Sequence, residues 1–362
     1  MTILRGGVFD SGTNKGTDDL TELRDLADDI GSRSFESRIG RRSLPDAFDA
    51  TAWRHLDEAG LTRLVSSADS GGGPVEAAVL LRSLARHAVT VPVAETDVLA
   101  GWLAAQAGLD VPAAGPLTVA ITPGCPAGGR VTATASAVPY AGDAAAVVLA
   151  LRDGDRLLTA VARAEELPIT KGHNSGGEPR DTVEVDLAAD RFAELDSVVA
   201  EELTRRGAWA RCIQMIGALD AAVEFSVAHT REREQFGRPL SAFQSVQHTL
   251  AGMAGEVERA RAAADLAVAA AADHGFGAPQ TDHAVTVAKV TLGRVVPSVV
   301  TAAHQLHGAI GATIEHRLWL VTMRARSWVT EFGDTAGYAR RLGRRALAAT
   351  DPWLVVVDGA AG

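Results

Sequence analysis

Apolar positions in the last third of the chain recur at helical intervals. Phe243, Val246, Leu250, Met253, Val257, Ala260 and Ala264 follow a 3-4-3-4-3-4 spacing, with Gln247, Glu256, Arg259 and Arg261 between them. That spacing predicts one long amphipathic helix, running to about Asp273, whose single apolar seam suits a bundle. Ser241-Ala-Phe-Gln244, directly after Arg238-Pro239, has the Ser-x-x-Gln form of a capping box at its start. A preceding helix carries Ile213, Ile216, Leu219, Val223 and Val227 on one stripe, and two more helices are predicted over 282–307 and 314–328.

The texture differs between residues 117 and 195. Val131–Val138 alternates around β-branched residues, while Ala145–Leu151 and Leu157–Ala162 are short apolar runs separated by the turn cluster Arg152-Asp-Gly-Asp155. Short strands with tight turns predict a small antiparallel β domain. Before residue 117 the chain reads as short helices between Gly- and Pro-bearing turns. Trp53-Arg-His-Leu-Asp-Glu-Ala-Gly60-Leu61 is one such helix closed by Gly. Gly71-Gly72-Gly73-Pro74 has no preceding strand and no following Lys-Ser/Thr, so it predicts a turn with Pro opening the next helix rather than a phosphate loop. The pattern thus gives an α+β chain, mostly α. It has an N-terminal helical domain (1–116), a middle small antiparallel β domain (117–195), a C-terminal four-helix bundle (196–350) and a tail (351–362).

Composition narrows the function classes. With 362 residues, 47% hydrophobic and 22% charged, the chain is large enough for two or three cores. A net charge of −10 argues against general nucleic-acid binding, which demands a basic face. Of 35 basic residues only Lys15, Lys171 and Lys289 are Lys, so an abundance of Arg by itself points to no ligand. Cys125 and Cys212 form neither a disulfide framework nor a zinc pattern, and a reducing cytoplasm is the expected setting. Residues 1–30 carry acids throughout and do not read as a signal peptide. No run reaches the ~18 uninterrupted apolar residues of a membrane span.

Two segments carry specific chemistry. Arg231-Glu-Arg-Glu-Gln-Phe-Gly-Arg-Pro-Leu240, followed by Ser241-Ala-Phe-Gln244, resembles the acyl-CoA dehydrogenase signature, an Arg-x-Gln/Ala-Phe-Gly turn between two long helices. Gln305-Leu-His-Gly308-Ala-Ile-Gly311-Ala-Thr-Ile-Glu315 resembles the same family's Gln-x-x-Gly-Gly-x-Gly-x-x-x-Glu segment, with Ala309 in place of the second Gly. The resemblance runs the whole length, the helical, β and helical parts standing in family order. It implies FAD as cofactor, with Arg233, Phe236, Gln244, Gln305, Leu306, His307, Gly308 and Ala309 reaching a flavin bound mainly by a neighbouring subunit. The residue types suit that task. Arg233 offers a permanently charged donor fork for phosphate oxygens, Gly308 and Gly311 allow close backbone approach, and the Gln side chains both donate and accept. His304 and His307 lie three apart on a helix, but no carboxylate or Cys cluster accompanies them, so no metal site is expected.

Two family features are missing. Where relatives carry Thr-Glu-Pro-x-x-Gly-Ser-Asp around the flavin ring, this chain reads Ala120-Ile-Thr-Pro-Gly-Cys-Pro-Ala-Gly-Gly129. Where many relatives place the catalytic Glu, seventeen residues beyond Glu315, this chain has Phe332; a second family location falls near Gly207. Glu331 is adjacent to the first, but one residue on a helix turns a side chain by about 100°. Retained trans-acting motifs with a lost ring cradle and base resemble the smaller, β-type subunits of actinobacterial α2β2 steroid side-chain acyl-CoA dehydrogenases. The implied partners are a second dehydrogenase-like subunit, an acyl-CoA substrate and an electron-transfer flavoprotein. The competing expectations are a self-sufficient homotetramer with Glu331 as base, and a fold-retaining structural or regulatory protein without cofactor.

Overall fold

The computed structural model describes residues 15–38, 44, 46–67 and 71–358; residues 1–14 of the segment read as lacking a signal peptide, and 359–362 of the expected tail, lie outside them. In chain order the helices are α1 (Lys15–Arg38), α2 (Ala50–Glu58), α3 (Pro74–Arg86), a π-helical stretch Ala94–Gly101 and α4 (Trp102–Gln106). Strands follow: β1 (Leu117–Pro123), β2 (Pro126–Ala127), β3 (Arg130–Pro139), β4 (Ala146–Asp153), β5 (Arg156–Arg163), β6 (Ile169–Thr170), β7 (Arg180–Ala188) and β8 (Ala193–Asp196). After them come α5 (Ser197–Glu232), β9 (Glu234–Gln235), β10 (Arg238–Pro239), α6 (Gln244–His274), α7 (Pro279–His307), α8 (Arg317–Trp328), α9 (Thr335–Ala348) and α10 (Pro352–Asp358). The chain divides into two compact units, one of residues 43–73 and 90–207, the other of 1–42, 74–89 and 208–362.

The first of these units holds two four-stranded sheets, ordered β1-β4-β5-β8 and β2-β3-β7-β6. Their inner faces share one core, in which Val147, Leu149, Leu158 and Ala160 belong to the same cluster as Val131, Ala135, Val183 and Val185. The Arg152–Asp155 cluster makes the β4–β5 hairpin, pairing Asp153 with Arg156. Pairing is antiparallel throughout except between β1 and β4, which run parallel from Leu117↔Ala146 to Pro123↔Arg152. β4 is buried on both faces through Leu151, the continuous apolar pattern of a central strand. The π-helical stretch is buried along its length, including Glu95, Thr96 and Asp97. Thr96 Oγ1 donates to Leu117 O (3.0 Å) and accepts from Leu117 N (2.9 Å). Asp97 accepts from the backbone N–H groups of Val65 and Ser66. Widening the helix by one residue per turn places these polar groups against partners instead of leaving them as buried costs. In the same unit α2 begins on an Asp49 cap, and a left-handed Gly60 follows its end, the glycine closure that the sequence predicts.

The second unit is helical. α5 is buried between Arg206 and Val223 except at Gln214, and two helices, α3 and α6, fasten to it through charge pairs. Asp220 accepts from Arg82 of α3 (2.8 Å) and Arg261 of α6 (2.5 Å), and Glu224 binds Arg86 (2.7 Å), which also reaches Asp28 of α1. Arg261 sits 2% exposed, a correction to its placing on the polar side of the α6 seam. The seam itself is buried from Met253 to Ala264, whereas Phe243, Val246 and Leu250 remain half-buried. The Ser241–Gln244 capping box does not form. Leu240–Ala242 make a 3-10 turn, so the N-cap is Phe243, and the Gln247 side chain donates to Ser241 O instead (2.9 Å). α7 is long and apolar enough to cross a membrane by length and composition alone, yet 61% of that window is buried inside the protein, as in a core helix.

α3 can approach α5 closely only because residue 217 lacks a side chain: a Cβ there would stand 2.1 Å from Arg82 O. Gly217→Ala is therefore expected to destabilise the protein by about 1–3 kcal/mol through overpacking, read as a lower urea midpoint. An unchanged midpoint would show that the helices can part without loss.

Candidate functional site

α5 ends in a tight hairpin that the sequence specifies locally. β9 and β10 pair Gln235 with Arg238 and Glu234 with Pro239. The two residues between them, Phe236 and Gly237, both take positive φ (+53° and +75°), the twist a two-residue hairpin turn requires. Phe236 tolerates this at the tip, 90% exposed, its ring 6.2 Å edge-on from Phe243. The Arg238 guanidinium lies 4.0 Å over the other partner of that pair, Phe243. Arg233 stands at the hairpin's base, its N–H donating to His229 O and its carbonyl accepting from Leu240 N. Its guanidinium is exposed and, among the described residues, makes no ion pair.

α7 terminates at the same place. Gly308 N–H closes on His304 O, with Gly308 at φ +65° and ψ −149°, a conformation open essentially to Gly. A Cβ at this position would meet nothing within 4 Å, so the backbone is presented to open space. Gly311 serves differently: it is buried, and a Cβ there would come within 2.6 Å of the His307 side chain. It permits packing, which replaces the expectation that its backbone reaches a ligand.

Between the two helix ends lies a cavity of about 680 Å³. Arg233, Gln305, Leu306, His307, Gly308 and Ala309 line it, together with His229, Ser245 and Thr249. Phe236 and Gln244, the other two residues singled out by sequence, are exposed beside it on the hairpin tip and the first turn of α6 and do not line it. Sequence reasoning passed over His229, Ser245 and Thr249. Their signal was the i, i+4 step: His229 sits one turn before Arg233, and Thr249 one turn after Ser245.

Two histidines, His229 and His307, line this cavity, and a third, His316, packs against His307. His307 and His229 stack with ring centroids 4.4 Å apart and planes at 21°, and His316 meets His307 edge-on at 5.0 Å. His307 Nδ1 lies 2.8 Å from Ala303 O, so Nδ1 carries the proton. Nε2 is then a lone-pair acceptor, and it is buried without a hydrogen-bond partner. Burial holds the His307 ring at about 4, and the neighbouring His229, His316 and His304 push the same way. His229 is lowered by burial and by Arg233. His304 pairs with Thr322 Oγ1 at 2.8 Å, and among the described residues no cluster of three ligating side chains could hold a metal.

Glu331 lies elsewhere. It follows α8, where its carboxylate accepts from Arg211 Nε at 2.6 Å and its carbonyl from Lys289 Nζ at 2.8 Å. The Arg211 side chain is 2% exposed and that of Glu331 21%. The same pocket of α5 buries Cys212, whose thiol is pushed up to about 12 by burial and is therefore inert. In the β unit, residues 120–129 form the end of β1 and the β2–β3 hairpin with Cys125 exposed; no carboxylate stands there.

Comparisons with known proteins agree with this architecture. Residues 198–347 match the family described as acyl-CoA dehydrogenase, C-terminal domain. The chain is 27% identical over 322 residues to acyl-CoA dehydrogenase IpdE2 of Mycolicibacterium smegmatis, covering 85% of this chain and 90% of that one. Its fold matches the ChsE4-ChsE5 complex from Mycobacterium tuberculosis with a TM-score of 0.80 at 22% identity, over 93% of this chain and 98% of that one. A variant of the Tcur3481-Tcur3483 steroid ACAD gives a TM-score of 0.78 at 25% identity, over 95% and 99%. A β unit followed by a long-helix bundle is the arrangement shared with these acyl-CoA dehydrogenases. Residues 198–347 are thus an acyl-CoA dehydrogenase C-terminal domain, and over most of its length the chain is similar to proteins of that family.

The buried neutral His307 makes stability depend on pH. Its folded value, about 4, lies below the usual 6.5, so between these values the unfolded chain binds the extra proton. The contribution is fully present above 6.5 and lost as pH falls towards 4. The denaturant midpoint should fall over that window, and fall less in His307→Leu; equal slopes would show that the ring is not held neutral.

Proposed function

We propose that this chain is one subunit of a heteromeric, FAD-dependent acyl-CoA dehydrogenase, and that its cavity at Arg233 completes the flavin site of a partner subunit. The carrying observation is an exposed guanidinium that makes no ion pair among the described residues, lining a cavity edged by Gln305 and by the open backbone of Gly308. These residues fit the diphosphate half of FAD. Arg233 supplies a fixed cation and donor fork, Gln305 an amide that donates and accepts, and Gly308 a path for close approach. His307 Nε2, buried, accepts no hydrogen bond among the described residues. We assign Phe236 and Gln244, exposed beside the cavity, to the same flavin from the hairpin and from the start of α6.

The rest of the catalytic equipment is read as the partner's. FAD held there would supply the hydride acceptor for dehydrogenation of an acyl-CoA, a reaction that also needs a carboxylate to take the α-proton. Residues 120–129 offer no acid or Gly-Ser-Asp turn to cradle the ring. Glu331 is committed to a buried arginine, and we read it as an anchor of the chain after α8 rather than as the base. A steroid side-chain CoA thioester is the substrate class we favour, supported by the likeness to the Tcur3481-Tcur3483 steroid ACAD. An electron-transfer flavoprotein is the acceptor that the family implies, and the cytoplasm is the compartment that suits two unpaired thiols.

The chain expressed alone should be colourless and inactive. Co-expressed with its dehydrogenase-like partner it should give a yellow assembly, and Arg233→Ala should lower flavin per assembly by about tenfold or more, as expected for losing a charged phosphate contact. A yellow, active homo-oligomer of this chain would overturn the proposal. Unchanged flavin in the Arg233→Ala assembly would do the same for the role of the cavity.

A further inference from the structure

The histidine stack has no counterpart in the chemistry assigned above, and its surroundings point to one. His229 lies one helical turn before Arg233 on α5, so both side chains face the same cavity. Its ring is half-buried, stacked on His307 from α7, with His316 beyond at the start of α8. The charged and titratable groups acting on it are Arg233 and Glu232 on its own helix and His307 across the stack. His304 and His316 act in turn on His307. No carboxylate of the cavity wall balances Arg233, since the lining contains neither Asp nor Glu.

We propose that His229 is the proton-accepting member of the Arg233 anion site, taking up a proton when a diphosphate-bearing ligand binds. This rests on the reading of the cavity as a diphosphate site. Without ligand, burial and the Arg233 charge both favour the neutral ring. A diphosphate on Arg233 reverses the local sign, because an anion within a few ångströms of an imidazole stabilises its charged form. The proton comes from solvent and goes to a ring nitrogen of His229; no covalent bond changes. His307 is a poor alternative acceptor, its Nδ1 already donating to Ala303 O and its ring more deeply buried. It acts as the neutral plate on which the charged His229 ring rests, a face a cation tolerates. By linkage, ligand affinity must then rise on mild acidification by the same factor that the ligand raises the proton affinity of His229.

ADP-ribose tests this, because its diphosphate holds constant charge across the relevant pH range and it carries no flavin chemistry. Histidine ring resonances of the full chain would be followed by NMR through a pH titration, with and without millimolar ADP-ribose. The resonance of residue 229 is identified by its absence in His229→Gln. The expected result is an upward move of about one unit for His229 on binding, with affinity about tenfold higher near pH 5.5 than near pH 7.5. His229→Gln should still bind, with that pH dependence lost, and Arg233→Ala should not bind. Binding that requires Arg233 but leaves His229 unmoved overturns this inference while the diphosphate reading stands. No binding of ADP-ribose at any pH overturns both.

Discussion

One charge without an acid in the cavity before it, that of Arg233, sets the character of the site. Two buried arginines of the helical unit are tied down by carboxylates, Arg261 by Asp220 and Arg211 by Glu331, while buried Arg324 donates to the Val89 carbonyl. Arg233 is the contrasting case, an exposed guanidinium at the end of α5 with no acid in the cavity before it. Water solvates such a charge at no great cost, so folding alone does not demand it. What the fold does is fix where the charge stands. The two-residue hairpin holds Leu240 N on the Arg233 carbonyl, and α5 itself is pinned by the Asp220 and Glu224 pairs.

The same economy of position explains the second helix end. α7 carries Gln305 and His307 in its last turn, and Lys289 on the same helix clamps the segment after α8 through Val329 O and Glu331 O. Asp282, in its first turn, is held by Arg341 and Arg345 of α9. Charges at two levels of α7 therefore set its register, and the positive-φ Gly308 is delivered to the cavity as the consequence of a rigid helix. Glu331 belongs to this scaffold. Its neighbourhood to the family's catalytic location is a matter of sequence count, while its carboxylate is spent on Arg211.

Much of this was legible in the residues. Helical spacing located α6 and α7 closely, because a single apolar stripe is enough to define a helix packed on one side. Alternation and turn chemistry located β3, β4 and β5. What could not be read were features set by partners distant in sequence. Arg261 looks like a surface residue until Asp220, forty-one positions away, is known to face it. The parallel β1–β4 pairing joins strands with a hairpin's length of other structure between them, and in the π-helical stretch Thr96 and Asp97 bond to positions distant in sequence, Leu117 and Val65–Ser66. At the site, resemblance pointed to Arg233 and to 305–309, which do share a cavity, but His229 carries no motif. Its meaning comes from the ring stacked against it.

The most direct examination of the central claim is hydrogen–deuterium exchange of this chain, free and in the flavin-loaded heteromer. Slower exchange of the backbone amides of residues 233–245 and 305–312 in the assembly, relieved when the flavin is stripped with the subunits still associated, is the predicted result. Equal exchange in these two segments with and without flavin would contradict the account.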